Sequence, residues 1–332
     1  MKAKLSSKFQ TKNLINYAVI IAILVVLIVL NSLGLISSGG RSTLTRIAFS
    51  MILAVSLNLV VGFLGELSLG HAGFMCVGAY IGCYFANILH EVIASDLIVF
   101  ILSMIVGGLV ASIFGFVIGL PALRLRGDYL AIATLAFGEI VRCIFKNLDT
   151  FGAALGLSTK LYSSKTLFIV SFVTLLVVLF ICQNLISSKH GRAVTAIRDN
   201  EIAAKAMGIN VTFYKLLIFI VSAFFAGVAG VIYGETFGII KQEKFSYNYS
   251  IEILVMVVLG GMGSIRGSMI AAAVITYVNI LLQNQLSGSL APVKSIVYAL
   301  ILILIILWNN SDLFNPIKNK FKSMKKSSKE EN

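Results

Sequence analysis

The chain has few charged residues. Of its 332 residues, 12% are Asp, Glu, Lys or Arg, and the acidic ones number only 14. Soluble domains carry about 25% charged residues. A globular protein of this composition could not cover its surface with polar groups. Disorder and an ordinary cytosolic enzyme are therefore both disfavoured.

Cysteines and catalytic motifs are also scarce. The four cysteines lie in apolar stretches, and their spacing fits neither a metal site nor a redox motif, so we interpret them as small hydrophobic residues. A disulfide scaffold is excluded by so low a count. The chain has no P-loop lysine motif, no H-E-x-x-H and no G-x-S-x-G. The sequence therefore predicts no catalytic residues, no metal site and no cofactor or ATP site of its own.

Long apolar runs, by contrast, fill the chain. Hydrophobic residues make up 58% of it, and a membrane-spanning helix needs about 20 mostly apolar residues. We predict an all-α membrane protein, a polytopic transmembrane helix bundle of about ten spans. The count ranges from eight to ten, because a glycine-rich break divides the apolar region 250–285. The spans are predicted at residues 14–36, 44–64, 67–89, 97–120, 129–148, 166–186, 214–239, 251–262, 269–282 and 293–308.

The basic residues predict the orientation of these spans. Cytoplasmic segments carry an excess of Lys and Arg, and the 27 basic residues concentrate in both tails and in the loop 187–213. Ten spans place both termini and that loop in the cytoplasm. We therefore divide the chain into a basic tail (1–13), a transmembrane domain (14–310) and a second basic tail (311–332). Such tails suit anionic lipid headgroups better than nucleic acid.

Glycines recur at the four-residue spacing that lets helices pack closely in lipid. This spacing predicts a compact bundle and says nothing more about function. The glycines concerned are Gly78/Gly82, Gly115/Gly119 and Gly230/Gly234/Gly238.

Four ionisable residues lie in or at the head of predicted spans. Charges there are costly and usually face the bundle interior or a pathway. Glu139 and Arg142 are three residues apart, so they can pair on one helix. Glu66 and His71 begin the small-residue third span. We interpret all four as bundle-interior or pathway residues, and favour a self-satisfied pair for Glu139 and Arg142 over a direct role in transport.

The most informative polar segment is the loop 187–213. Asp199 and Asn200 can cap a helix that starts at Glu201, and Gly208 can end it. We expect this short helix to lie along the membrane face as a docking element for a partner protein. Its predicted contact residues are small or charged: Arg192, Arg198, Asp199, Glu201, Ala203, Ala204 and Gly208.

Four stretches resemble one family of transport proteins. GRAVTAIRDNEIAAKAMGIN (191–210) looks like the coupling segment of the LivM-type branched-chain amino-acid permeases of ABC importers. LRLRGDYLAIATL with FGEI (123–140), NLVVG with LSLGHAGF (58–74) and VVLGGMGS (257–264) resemble the same family, in order and at its spacing. The resemblance covers roughly residues 40–310.

The resemblance implies a permease subunit of the plasma membrane that hydrolyses no ATP itself. Two ATP-binding cassette subunits would dock on the 187–213 loop and bind the ATP. A second permease subunit of the LivH type and an extracytoplasmic amino-acid-binding protein would complete the importer. The family usually carries a glycine-proline-asparagine-glycine run after the fifth span. Residues 150–157 lack its proline and asparagine, which leaves the exact solute open.

Two alternatives remain open. A permease of the same superfamily could carry urea, short amides or another amino acid. An ion-coupled secondary transporter would instead need acids along a pathway, and Glu66, Glu139 and Glu252 are the candidates.

Overall fold

The computed structural model describes residues 36–125, 127–159 and 162–285, with residues 300 and 303. The predicted tails, and the spans 14–36 and 293–308 apart from residues 36, 300 and 303, lie outside these ranges. The described residues form ten α-helices: α1 (Ser38–Asn58), α2 (His71–Leu89), α3 (Asp96–Ala122), α4 (Asp128–Asn147), α5 (Ser164–Ser187), α6 (Lys189–Asp199), α7 (Glu201–Ala206), α8 (Val211–Phe237), α9 (Tyr247–Gly260) and α10 (Ile265–Gln285).

The chain forms two compact units. The first extends to Thr276 and holds α1–α9 and the first part of α10. The second starts at Tyr277, and its described part is the end of α10 with residues 300 and 303. The contacts described below all lie within the first unit.

Six of the described helices are long and apolar enough to cross a membrane: α1 with its extension to Leu64, α2, α3, α5, α8 and α10. The all-α, polytopic membrane fold is therefore confirmed. Helix α4 matches the predicted span 129–148 but carries Glu139, Arg142 and Lys146. Helix α9 has 14 residues, which at ~1.5 Å each give about 21 Å, less than the ~30 Å hydrocarbon core. The number of spans thus stays a prediction.

Helices α2, α3 and α8 pack against one another through glycines. A Cβ added at Gly78 of α2 would lie 2.3 Å from the Cα and carbonyl oxygen of Gly227 on α8. A Cβ at Gly230 would lie 2.1 Å from the carbonyl oxygen of Met75. Backbones approach this closely only where side chains are absent. The predicted close packing of the glycine-spaced helices is therefore confirmed for α2 and α8.

Helix α1 packs against α5 and α8 and ends in a π-helical turn, Leu59–Leu64. Gly65 follows in the left-handed region at φ 81°, which favours glycine. An irregular segment, residues 65–70, then leads to α2 at His71. We call residues 59–70 the α1–α2 junction. The sequence predicted a helix from residue 67, but the structure starts it at His71.

The predicted glycine break between α9 and α10 is confirmed. Gly261 and Gly263 have φ values of 92° and 79°, and a Cβ at Gly267 would lie 1.7 Å from the carbonyl oxygen of Gly260. The predicted span 97–120 stops before Pro121, whereas α3 includes this proline and ends at Ala122. A proline loses its i−4 hydrogen bond and crowds the preceding turn, and the helix stops one residue later.

The connection 149–163, as far as it is described, contributes a short strand beside the end of α8. Leu157–Ser158 pairs antiparallel with Ile239–Ile240. The Oγ1 of Thr159 donates to the carbonyl oxygen of Gly234 at 3.2 Å. This segment therefore covers the C-terminal end of α8.

Candidate coupling segment and interior charges

The polar segment 187–213 folds into the two short helices α6 and α7. Ser188 caps α6, because its Oγ accepts from the backbone N–H of His190 at 3.1 Å and of Gly191 at 3.3 Å. Asn200 caps α7 by accepting from the N–H of Ala203 at 2.9 Å. Gly208 follows the end of α7 and lies in the left-handed region at φ 83°. The helix predicted between Glu201 and Gly208 is thus present, capped by Asn200 rather than by Asp199.

Large apolar side chains are exposed at both ends of α7, Ile202 within the helix and Met207 directly after it. Ile202 is 79% exposed and Met207 is 83% exposed, and Ala203 is exposed beside them. Ala204 was predicted to be exposed, and this is wrong, since only 4% of it is accessible. Residues in a helix rotate by about 100° each, so Ala204 lies on the side of α7 opposite to Ile202 and faces the bundle.

Arg192 and Arg198 occupy different environments. Arg192 is exposed, and its Nη1 lies 3.4 Å from the carbonyl oxygen of Ser187. Arg198 reaches inward, and its Nη1 donates to the carbonyl oxygen of Gly62 at 3.1 Å. Its Nε and Nη2 bind Oδ1 of Asp199 at 3.2 and 3.0 Å. Arg198 thus contacts the π-helical end of α1.

Glu201 also points back into the chain. Its Oε2 accepts from Nζ of Lys215 at 3.1 Å, and the same ammonium forms an ion pair with the carboxylate of Glu66. The side chain of Lys215 is only 5% exposed, that of Glu66 is 14% exposed and that of Glu201 is 33% exposed. One buried cation on α8 therefore joins the coupling segment to the α1–α2 junction.

Glu139 and Arg142 form the ion pair that their spacing predicts. Nη2 of Arg142 lies 2.6 Å from Oε2 of Glu139, and both side chains are about one quarter exposed. Oε1 of Glu139 accepts from the backbone N–H of Tyr247 at 3.0 Å. An acceptor suits the free N–H groups and positive dipole end of a helix N-terminus. Glu139 therefore links α4 to the start of α9 through this hydrogen bond. Its role in transport stays a prediction.

His71 lies in the core, at the first residue of α2. It is 2% exposed, and its Nε2 lies 2.8 Å from Oγ of Ser56 on α1. The next residue, Ala72, donates its N–H to Oγ of Ser250 on α9. His71 thus belongs to the packing of α1 and α2 where α9 meets them.

The described residues contain no group of three His, Cys, Asp or Glu side chains placed to hold a metal ion. The polar and charged side chains described above form ion pairs and helix caps. These contacts link one structural element of the chain to another.

Comparison with known proteins shows to which family the chain belongs. The chain matches the family described as the branched-chain amino acid transport system permease component, over residues 41–306. It belongs to this family. The chain is therefore a multi-pass permease component of the cell membrane, and it is not an enzyme.

Individual relatives agree with this assignment. The chain is 33% identical over 313 residues to the LivM high-affinity branched-chain amino acid permease of Salmonella typhimurium, covering 84% of this chain and 71% of that protein. It is 31% identical to a probable LivM permease of Methanocaldococcus jannaschii, covering 68% and 76%. It is 23% identical to the LivH permease of Escherichia coli, covering 80% and 91%. No solved structure matches the chain significantly.

Two buried charged residues of this permease escaped the sequence-based prediction. Lys215 received no role of its own from the sequence, although it is a charged residue within the first turns of the apolar helix α8. Glu235 lies in the same apolar helix; it is fully buried, and neither carboxylate oxygen has a hydrogen-bond partner among the described residues. A single charge inside an apolar run was the available indication in both cases.

Proposed function

We propose that this chain is one of two permease subunits of an ABC importer that carries branched-chain amino acids into the cell. The family match and the LivM and LivH relatives support the solute and the pairing of two permeases. ATP would bind to two separate ATPase subunits, and an extracytoplasmic binding protein would deliver the amino acid. We also propose that the chain crosses the membrane eight to ten times and has both termini in the cytoplasm.

The observation that supports coupling best is the exposure of two large apolar side chains at the two ends of α7. Ile202 and Met207 are each about four-fifths exposed in a polar segment, where a solvated connector has no need of large apolar side chains. Both residues follow a well-capped helix start at Asn200. A short capped helix with an exposed apolar side chain at each end suits a groove on an ATPase subunit.

The test of docking is co-purification of the ATPase subunits with the permease. Replacing both residues (Ile202→Glu and Met207→Glu) is expected to remove the ATPases from the purified complex while the permease remains in the membrane. Leu125→Glu is the matched control, because Leu125 is 41% exposed in the connection between α3 and α4, outside the segment 187–213. Unchanged ATPase recovery in the double variant would contradict docking at α7.

The test of the solute is uptake by the reconstituted importer. Proteoliposomes holding both permeases and both ATPases, with ATP inside and binding protein outside, are expected to accumulate labelled leucine, isoleucine or valine. Accumulation of urea, a short amide or another amino acid instead would select the alternative solute within the superfamily.

Glu235 is the one observation that favours the ion-coupled alternative, which needs a buried acid. It is fully buried, and neither carboxylate oxygen has a hydrogen-bond partner among the described residues. Of the three acids that the sequence suggested for this role, Glu66 and Glu139 are in ion pairs with basic residues of this chain. Uptake that persists with hydrolysis-deficient ATPases and stops with a protonophore would support that alternative.

A further inference from the structure

The coupling segment is joined to the α1–α2 junction at two separate points. Lys215 binds Glu201 at the start of α7 and Glu66 in the junction. Arg198, at the end of α6, donates to the carbonyl oxygen of Gly62 in the π-helical turn. Both points connect residues far apart in the sequence, and neither involves the exposed side chains of Ile202 and Met207.

The Lys215 contact is rigid because it is buried. The ammonium is held between two carboxylates with 5% of the Lys215 side chain accessible. Removing one partner from a buried charged cluster leaves the remaining charge poorly compensated. The three side chains are thus expected to stay together when α7 moves.

The Arg198 contact adds a second constraint on the same junction. A Cβ placed on Gly65 would lie 2.7 Å from Cγ of Arg198, so the stem of the arginine lies directly on the left-handed turn. The guanidinium satisfies one carbonyl of a helix end, where carbonyl groups lack intrahelical partners. The junction is therefore held from two sides.

The junction in turn contacts α4. The N–H of Leu69 donates to Oγ1 of Thr134 at 3.0 Å, and a Cβ on Gly70 would lie 2.3 Å from the carbonyl oxygen of Thr134. The junction also leads directly into α2 at His71. A displacement of the junction would reach two long helices of the bundle without passing through a flexible linker.

We propose that Glu66 and Lys215 are positioning residues that carry the displacement of the coupling segment to α2 and α4. This inference rests on the proposed function, and names the route inside the permease by which ATPase closure acts. The segment α6–α7 and the α1–α2 junction move as one body, held by the Glu201–Lys215–Glu66 cluster and by Arg198. Interfaces of packed elements pass on such small shifts as discrete rearrangements.

The test uses the complete importer in proteoliposomes and measures amino acid transported per ATP hydrolysed. Glu66→Gln keeps the shape of the side chain and removes its charge, whereas Lys215→Met removes the central cation. Both variants are expected to keep their ATPase subunits and ATP hydrolysis, while transport per ATP falls about tenfold, within the usual range of coupling between sites. Lys215→Arg is expected to restore much of the ratio, because it keeps a cation between the carboxylates.

Lys146→Met is the matched control, because Lys146 is an exposed lysine near the end of α4, remote in sequence from the coupling segment and the junction. A normal transport ratio in Glu66→Gln would overturn the proposal. Loss of the ATPase subunits from Glu66→Gln would also overturn it, since the cluster would then serve docking. A wild-type complex that moves amino acids without ATP would instead refute the proposed function itself.

Discussion

A methyl group at Gly78 tests a close contact between two helices of the bundle. Gly78 of α2 faces Gly227 of α8, and an alanine Cβ would lie 2.3 Å from both the Cα and the carbonyl oxygen of Gly227. These atoms belong to the backbone of a long helix, so no side chain can rotate to make room. The substitution Gly78→Ala must therefore push α2 and α8 apart.

The magnitude follows from the shortfall in distance. Non-bonded carbon atoms rest about 3.5–4.0 Å apart, so the helices would have to separate locally by roughly 1 Å or more. Overpacking of this kind costs about 1–3 kcal/mol. Alanine recovers about 1 kcal/mol through its higher helix propensity. Because the clashing atoms belong to the backbone, the upper end of the overpacking cost applies, and the net loss of stability is expected to be about 2 kcal/mol.

The assay is thermal denaturation of the detergent-solubilised permease, followed by the monodisperse fraction on size-exclusion chromatography. Gly39→Ala is the matched control, because Gly39 lies in α1 and no described atom comes within 4 Å of a Cβ placed there. Gly78→Ala should lower the midpoint, and Gly39→Ala should leave it unchanged or slightly higher. A midpoint for Gly78→Ala equal to that of the wild type would refute the close α2–α8 contact.

Three further substitutions probe caps and buried charges. Asn200→Ala should cost the α7 helix about 1 kcal/mol and weaken recovery of the ATPase subunits in pull-downs, whereas Asn200→Asp should not. A double-mutant cycle of Glu139→Gln and Arg142→Met should give a coupling energy of at least about 0.5 kcal/mol in thermal stability; additive losses would show that the pair is not coupled. Glu235→Gln should keep or raise the thermal midpoint, because a buried carboxylate without a hydrogen bond is costly; a lowered midpoint would reveal a partner outside the described residues.

Much of the helical framework could be predicted from apolar runs and glycines. The predicted spans 166–186 and 214–239 agree with Ser164–Ser187 and Val211–Phe237 to within three residues. The break between α9 and α10 follows from glycines with positive φ at positions 261 and 263. These features are local, so the sequence contains their causes within one or two turns.

The residues of the site are brought together by tertiary contacts, which no local sequence pattern specifies. Glu66 and Lys215 are 149 residues apart, and only the packing of α1, α2 and α8 brings them together. Sequence reasoning identified Glu66 as an interior charge but not its partner. It misplaced Ala204 for a related reason, since a six-residue helix has an inner and an outer side that only its neighbours define.

Helix α8 carries two buried ionisable residues, Lys215 near its start and Glu235 near its end. Lys215 and Glu235 are 20 residues apart in one helix (235 minus 215), which at ~1.5 Å per residue is about 30 Å, the thickness of the hydrocarbon core. In the proposed orientation, Lys215 lies at the cytoplasmic boundary among carboxylates, whereas Glu235 lies at the outer boundary, next to Gly234, whose carbonyl oxygen accepts from Thr159. The cost of a charge falls towards either boundary, so both positions are tolerable. Their effects should therefore separate: Glu235→Gln should leave transport per ATP unchanged, and Lys215→Met should reduce it, when both are measured in the same proteoliposomes.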